Sequence, residues 1–267
     1  MKPEFFRAGP AGNITLFILN PPDNAKNRLE MAKILLADPD FKAEQLGFVF
    51  SPRNSGDLWR LEMAGGEFCG NASRSLGLLA ALKNGLCGRH TIMISTSGIA
   101  EPVPVHIDTE AHTAEIVISG PVSRQTDVLW EGRHFPVYEF EGITHIIAAD
   151  VPANEQLVRS LIRRYTKICG ALGVMFYNSQ NNFMRPAVWV RETDTLVFES
   201  SCGSGSAAVG VWAVRDESDI ELDIDLAQPG GTITVKVVKQ AGNVTRLCIG
   251  GTVELTPLTM QKAVPPY

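Results

Sequence analysis

The feature that most restricts what this chain can fold into is a duplication. Residues 65–77 read GGEFCGNASRSLG and residues 198–210 read FESSCGSGSAAVG. Each has a glutamate, then Cys-Gly, a short polar residue, a small residue and Ser, and each runs into a small, apolar, helix-like segment. Cys69 and Cys202 stand 133 positions apart in a chain of 267 residues. The segments downstream of the two copies are also alike. TIMISTSG (91–98), AEPVPVHID (100–108) and AEIVISGPV (114–122) come after the first, and IDLAQPGGTITVKVV (224–238) and TRLCIGGTVEL (245–255) after the second. Both sets read as short β-branched strands broken by Gly or Pro. Gly120 and Gly250 close them 130 residues apart. One repeat of this size is no solenoid period and predicts two copies of one domain.

The remaining segments fill in each copy. ITLFILN (14–20), QLGFVFS (45–51) and DLWRLEM (57–63) read as strands, and NRLEMAKILLA (27–37) and ANEQLVRSLIRRY (153–165) as helices. Each half mixes strands with about two helices, so the expected fold class is α+β. The expected domains are residues 1–119 with Cys69 and residues 120–251 with Cys202, with residues 252–267 open to completing the first.

Bulk properties exclude several classes. Hydrophobic content of 45% and charged content of 20% are those of a globular protein. A net charge of -5 offers no basic surface for nucleic acid. The segment MKPEFFRAGPAGN lacks the apolar core of a signal peptide, and no apolar run is long enough for a membrane-spanning helix. The five cysteines, Cys69, Cys87, Cys169, Cys202 and Cys248, are odd in number and widely spaced, with no CxxC pair. That disfavours zinc and a disulfide framework, and a reducing cytoplasm is expected.

The local chemistry of the two cysteines is specific. Each ends a strand-like run where a helix begins. A helix start offers unpaired N–H donors and partial positive charge, which suits a carboxylate. The same field raises the thiolate fraction of a cysteine. Two such units would make a carboxylate cradle flanked by two thiols. Removing the α-proton of an amino acid without a cofactor needs donors on the carboxylate as charge moves onto it. A racemase also needs an acid/base on each face of the α-carbon, which one thiolate and one thiol supply. Cys87, Cys169 and Cys248 lack the helix-mouth setting and read as structural. A rival reading takes GSGSAAVG as a dinucleotide-binding loop, with Asp225 lying 20 residues beyond Gly205. Gly210 does not fit that spacing and the first copy breaks it further.

With these motifs quoted, the chain resembles the diaminopimelate epimerase superfamily of cofactor-independent racemases. The counterparts of that superfamily's motifs are PAGN with Asn13, CGNASR from Cys69, CGSGSA from Cys202 and QPGG at 228–231. The resemblance implies two similar pseudo-symmetric domains, each a central helix wrapped by mostly antiparallel strands, with the active site in the cleft between them. It implies two catalytic thiols, no metal and no pyridoxal phosphate. Two departures disfavour diaminopimelate as substrate. The Glu-Arg pair expected before the second cysteine is missing, with Thr193 and Asp194 at about that place. The expected NPH motif reads ITH, keeping His145 but not its neighbours.

The narrower likeness is to the histidine racemases of this superfamily, known from pathways to staphylopine-type metallophores. It rests on EFCGNA, SCGSG, QPGG and EQLGF, the last holding Glu44, Gln45, Gly47 and Phe48. A carboxylate at Glu44 can accept an imidazole N–H. The resulting expectation is a cofactor-independent racemase of histidine with Cys69 and Cys202 as acid/bases. The N–H groups of Gly70, Asn71, Gly203 and Ser204 would hold the substrate carboxylate. Asn13, Glu44, Gln45, His145 and Glu199 would line the substrate, with Glu67 and Glu199 as candidate partners of the ammonium or thiols. The expected partner is a small amino acid, with a homodimer open, no nucleic acid and no membrane. An epimerase of another amino acid, diaminopimelate included, and a non-catalytic amino-acid binder are the alternatives.

Overall fold

Residues 3–118, 125–191 and 194–258 are described by the structure, a computed structural model. In chain order come β1 (Glu4–Pro10), β2 (Thr15–Leu19), α1 (Ala25–Ala37), β3 (Gln45–Phe50), β4 (Trp59–Met63) and α2 (Gly70–Lys83). Then come β5 (Arg89–Thr96), β6 (Val103–Asp108), β7 (Thr113–Val117), β8 (Gln125–Trp130), β9 (Arg133–Phe140) and β10 (Ile143–Ala149). Next are α3 (Glu155–Tyr165), β11 (Ala171–Asn178), β12 (Phe183–Val190), β13 (Thr195–Phe198) and α4 (Gly203–Ala213). The last are β14 (Ile220–Gln228), β15 (Gly231–Gln240), β16 (Asn243–Gly250) and β17 (Val253–Leu258). The fold is α+β and rich in sheet. No helix among the described residues is long and apolar enough to cross a membrane.

Contacts divide the chain into two compact units, residues 3–116 with 251–258, and Val117–Gly250. The boundary expected at 119/120, with Gly120 itself, lies outside the described residues.

In the first unit β1 runs antiparallel to both β2 and β17. The β2/β3 and β4/β5 pairs are parallel, which requires a crossover, and α1 and α2 supply the two crossovers. Antiparallel β3/β4, β5/β6 and β6/β7 pairs complete the order, and a bridge from Thr113 to Thr252 brings β7 back to the start of β17. The strands thereby close around α2, whose residues Gly70–Ala81 are all buried. A helix buried all round needs small residues to let strands approach, and α2 has them. A Cβ on Gly77 would lie 2.5 Å from Val105 Cγ1. Helix α1 is capped by Asn24, which accepts from Lys26 N at 2.8 Å. It buries Met31, Ala32 and Leu35 against Leu16, Ile18, Leu46 and Phe48 on the outside of the sheet.

The second unit uses the same devices. β10 and β11 are parallel with α3 as crossover, and β12 meets β14 in parallel at Phe183 and Ala227 after β13 and α4. The β8/β9, β9/β10, β11/β12, β12/β13, β14/β15 and β15/β16 pairs are antiparallel. Helix α3 is amphipathic and firmly bounded. Asn154 accepts from the N–H groups of Gln156 and Leu157, Glu155 stands in the first turn, and Arg163 and Arg164 in the last, matching the helix dipole. Its Leu157, Val158 and Leu161 join a core with Ile146, Val174, Phe176 and Trp189. Helix α4 is buried from Gly205 through Val211, and a Cβ on Gly210 would lie 2.6 Å from Val235 Cγ1. The glycine that ends each motif is thus a close helix–strand contact.

Candidate active site

Both cysteines are helix N-caps. Cys69 (φ -127°, ψ 107°) caps α2 and Cys202 (φ -132°, ψ 114°) caps α4, with nearly the same backbone. The first intrahelical bond starts from each: Ser73 N donates to Cys69 O and Ser206 N to Cys202 O, both at 2.9 Å. The N–H groups of Gly70, Asn71, Gly203 and Ser204 therefore form the first turns, where a helix has no carbonyl of its own to offer them. This is the geometry that favours an anion. It also removes the dinucleotide-loop reading, because GSGSAAVG is helix from its first residue, and Asp225 sits in β14 accepting from Thr234 Oγ1.

Around Cys69 the first unit gathers most of the residues singled out from its sequence. Cys69 Sγ donates to Gln45 Oε1 at 3.1 Å and accepts from Ala72 N at 3.4 Å. Gln45 is held there because it opens β3, and Glu44 N and Gln45 N both donate to Ile14 O. Asn13 closes a tight turn between β1 and β2, donating its N–H to Pro10 O at 3.1 Å while Ala11 and Gly12 take positive φ. Asn13 is 1% exposed, and its Nδ2 donates to Glu44 Oε2 at 2.8 Å. Glu44 therefore engages Asn13 on the protein. Asn13 Oδ1 is buried with no partner among the described residues. Glu67 is exposed, and its carbonyl accepts from Ser97 Oγ, which also accepts from Met63 N and so staples the loop before Cys69.

Around Cys202 the second unit does likewise. His145 is fully buried on β10, edge-on to Phe140, with Nε2 2.9 Å from Ser204 Oγ. Ser204 Oγ is in turn 3.7 Å from Cys202 Sγ. Burial pushes the His145 imidazole down to about 3, so it is neutral at working pH. Its cross-strand neighbour is Gly173, where a Cβ would come 2.7 Å from His145 Cε1 and closer still to Nδ1. Glu199 is half-buried and its N–H donates to Pro186 O. Asp194 is taken by the Trp189 indole, whose Nε1 donates to Oδ1 at 2.9 Å, and Thr193 lies outside the described residues.

The structure adds three residues that sequence reasoning did not single out. Gln228, from QPGG, accepts from Cys202 N through Oε1 and donates through Nε2 to Ser206 Oγ, both at 2.9 Å. Ser206 Oγ closes the ring by donating to Cys202 O at 2.7 Å. Arg74 lies within α2, fully buried. The only signal for it was a charge in a run of small residues, and for Gln228 its place as the first residue of QPGG at the end of β14. The other cysteines differ in setting: Cys248 is buried in β16, Cys169 is half-buried, and Cys87 is exposed rather than packed.

The fold is that of racemases, epimerases and their kin. The chain is similar over 97% of its length to a phenazine biosynthesis protein of the PhzF family from Enterococcus faecalis, covering 100% of that chain (TM-score 0.65, 11% identity). It is similar over 97% of its length to a hydroxyproline epimerase from Agrobacterium vitis, covering 93% of that chain (TM-score 0.68, 12% identity). The chain is an isomerase. More particularly, residues 2–258 match the family described as the histidine racemase CntK N-terminal domain, and the chain belongs to that family. Two relatives are a histidine racemase of Fusobacterium nucleatum, 30% identical over 240 residues (85% of this chain, 87% of the relative), and one of Staphylococcus aureus, 28% identical over 242 residues (87% of each). The likeness read from EFCGNA, SCGSG, QPGG and EQLGF is borne out.

Proposed function

We propose that this protein interconverts L- and D-histidine by a two-thiol mechanism on two pseudo-symmetric domains, with no metal or organic cofactor required. The observation that carries the reading is the matched placement of Cys69 and Cys202 as N-caps of two buried helices. The substrate carboxylate binds the N–H groups of the first turns, which take up charge as the α-carbon loses its proton. One cysteine, as thiolate, removes the α-proton, and the other, as thiol, returns a proton to the opposite face. Afterwards the protonation states are exchanged, and the reverse reaction starts from that form. Asn13 Oδ1, buried and unpartnered, is suited to a substrate N–H. Glu44 faces the ring, sharing its carboxylate between Asn13 and the imidazole. Production of D-histidine for a metallophore in the cytoplasm goes with this reading.

Chiral analysis of the purified protein with histidine, other amino acids and diaminopimelate tests the substrate. Cys69→Ser and Cys202→Ser test the mechanism. Each is expected to abolish racemisation, since a proton must cross from one face to the other, while single-sided α-proton exchange in deuterated water persists at a low rate. Near wild-type racemisation by either variant would end the two-thiol mechanism. Binding of histidine with no exchange in wild type would make the protein a binder.

A further inference from the structure

His145 and Ser204 link the core of the second unit to the sulfur of Cys202. His145 is 0% exposed on β10 with Nε2 2.9 Å from Ser204 Oγ, and Ser204 Oγ lies 3.7 Å from Cys202 Sγ. All three residues belong to that unit. A serine hydroxyl has one proton to give and lone pairs to receive, so the ring decides which way this chain runs. If Nε2 is bare, Ser204 donates to the ring. If Nε2 carries the proton, the ring donates to Ser204, and the hydroxyl proton is left for the sulfur.

The other ring nitrogen settles the choice. Nδ1 is buried with no partner among the described residues. It lies against Gly173, where an added Cβ would meet Nδ1 before any other atom. A proton on Nδ1 would be a buried donor with nothing to receive it, and such orphans are rarer than under-used acceptors. Burial keeps the ring neutral, so its single proton sits on Nε2. The chain then runs one way, from Nε2–H to Oγ, and from O–H to Sγ. A donor on sulfur favours its charged form.

Other ionisable groups near α4 are engaged elsewhere. Tyr177 on β11 donates to Asn182, and Lys239 on β15 binds the carbonyls of Val214 and Arg215 at the far end of the helix. Burial pushes Tyr138 on β9 up to about 12, which keeps it protonated. The acidic residues of β14 are exposed, and Arg246 on β16 donates to Cys248. Glu199, three residues before Cys202, is half-buried and stays unchanged in the variants below.

We propose that Ser204 and His145 are positioning residues of Cys202: the ring's Nε2–H orients the Ser204 hydroxyl so that its proton points at the sulfur and stabilises the thiolate. This rests on the two-thiol reading above and names what supports one of its thiolates.

The test uses the full chain without substrate. In protein labelled with nitrogen-15 histidine, imidazole NMR is expected to show His145 as the neutral Nε2–H tautomer, its signals identified by their loss in His145→Gln. Iodoacetamide labelling against pH, mapped by mass spectrometry, gives a midpoint for each cysteine. Ser204→Ala keeps the backbone N–H and removes the hydroxyl. It is expected to raise the Cys202 midpoint by about 1–2 pH units, a rate loss of about tenfold per unit below it, with Ser204→Thr restoring most of it. His145→Leu should shift Cys202 the same way, and His145→Gln, which can place an N–H where Nε2–H stood, should restore it. Cys69, whose sulfur meets Gln45 and Ala72, is the internal control and should not move. An Nδ1–H tautomer would overturn the proposal. So would a folded Ser204→Ala protein in which Cys202 titrates like wild type, or in which both cysteines shift equally. If His145→Leu does not fold, the wild-type tautomer and Ser204→Ala decide alone. Neither readout needs substrate, so failure here is distinct from failure of the racemisation assay.

Discussion

Gly173→Ala is a one-carbon change whose cost can be worked out from the site. The added Cβ would stand 2.7 Å from His145 Cε1 and 2.8 Å from Met175 Cε, against the roughly 3.5–4.0 Å at which non-bonded carbons are comfortable. Met175 is flexible and can yield. His145 cannot, because Phe140 packs edge-on against it and Nε2 is fixed on Ser204. Overpacking of this kind costs about 1–3 kcal/mol, and displacing the imidazole adds about 0.5–1.5 kcal/mol for the lost hydrogen bond. Gly173→Ala should therefore destabilise the second unit by about 2–4 kcal/mol. Urea unfolding followed by tryptophan fluorescence suits the measurement, since Trp130, Trp189 and Trp212 all belong to that unit. The control is His145→Ala, which vacates the space the new Cβ needs. If the argument holds, the double variant is no less stable than His145→Ala, and the coupling energy is at least about 1 kcal/mol. Additive losses would show that the cost of Gly173→Ala lies in the backbone and not against the imidazole.

The buried imidazole also predicts a pH dependence. With the His145 folded value lowered to about 3 from an ordinary 6.5, the unfolded chain binds more protons between those limits. The stability it contributes is present above about pH 6.5 and is lost as pH falls toward 3, so wild type should lose stability faster than His145→Asn in that window, and equal slopes would refute it. Gln228→Leu leaves the buried Cys202 N–H without its acceptor; a stability loss of about 1–3 kcal/mol is expected, with kcat falling more than KM changes. An unchanged kcat would show that Cys202 does not need the Gln228 ring of bonds. Glu44→Gln should lower kcat/KM for histidine by about 1.5–3 kcal/mol, the range for a hydrogen bond to a charged group, and unchanged kinetics would leave Glu44 as a partner of Asn13 alone.

What could be read from the sequence was whatever repeats or alternates. The cysteine motifs stand out because a helix mouth needs Gly and small residues at fixed spacing, and the duplication gives the signal twice. The helices at 27–37 and 153–165 are α1 and α3; Asn caps stand before both, and in α3 apolar residues also recur with helical period. Strands β10 to β12 were harder. ALGVMFY in β11 is buried on both faces and shows no alternation, and β12 carries Pro186 in its middle. The N-terminal strand β1 is a short EFFRAGP whose partner β17 lies far along the chain. At the site, Asn13, Glu44, Gln45 and Cys69 could be named individually. That Asn13 binds Glu44 and that Gln45 binds Cys69 depends on β2 and β3 being parallel neighbours, which no local pattern encodes. The contacts of Arg74 and Gln228 could not be read from the sequence, because they are made to atoms that only the fold brings near: Asn71 Oδ1 and distant backbone carbonyls for Arg74, Cys202 N and Ser206 Oγ for Gln228.

The first unit is discontinuous in sequence, and this bears on how the protein is made. Strand β1 lies between β2 and β17, and six of its residues pair with β17. A ribosome delivers β1 first and β17 only after the whole second unit has been synthesised. Until then one side of β1 is a bare strand edge, the kind that recruits other strands. The second unit, drawn from one continuous stretch, is free to fold as it emerges. The unit that holds Cys69 must therefore wait for its last strand, and overexpression at speed would select for aggregates joined through β1. Slowing synthesis at low temperature should raise the soluble yield, and a circular permutant that places β17 directly before β1 should raise it further.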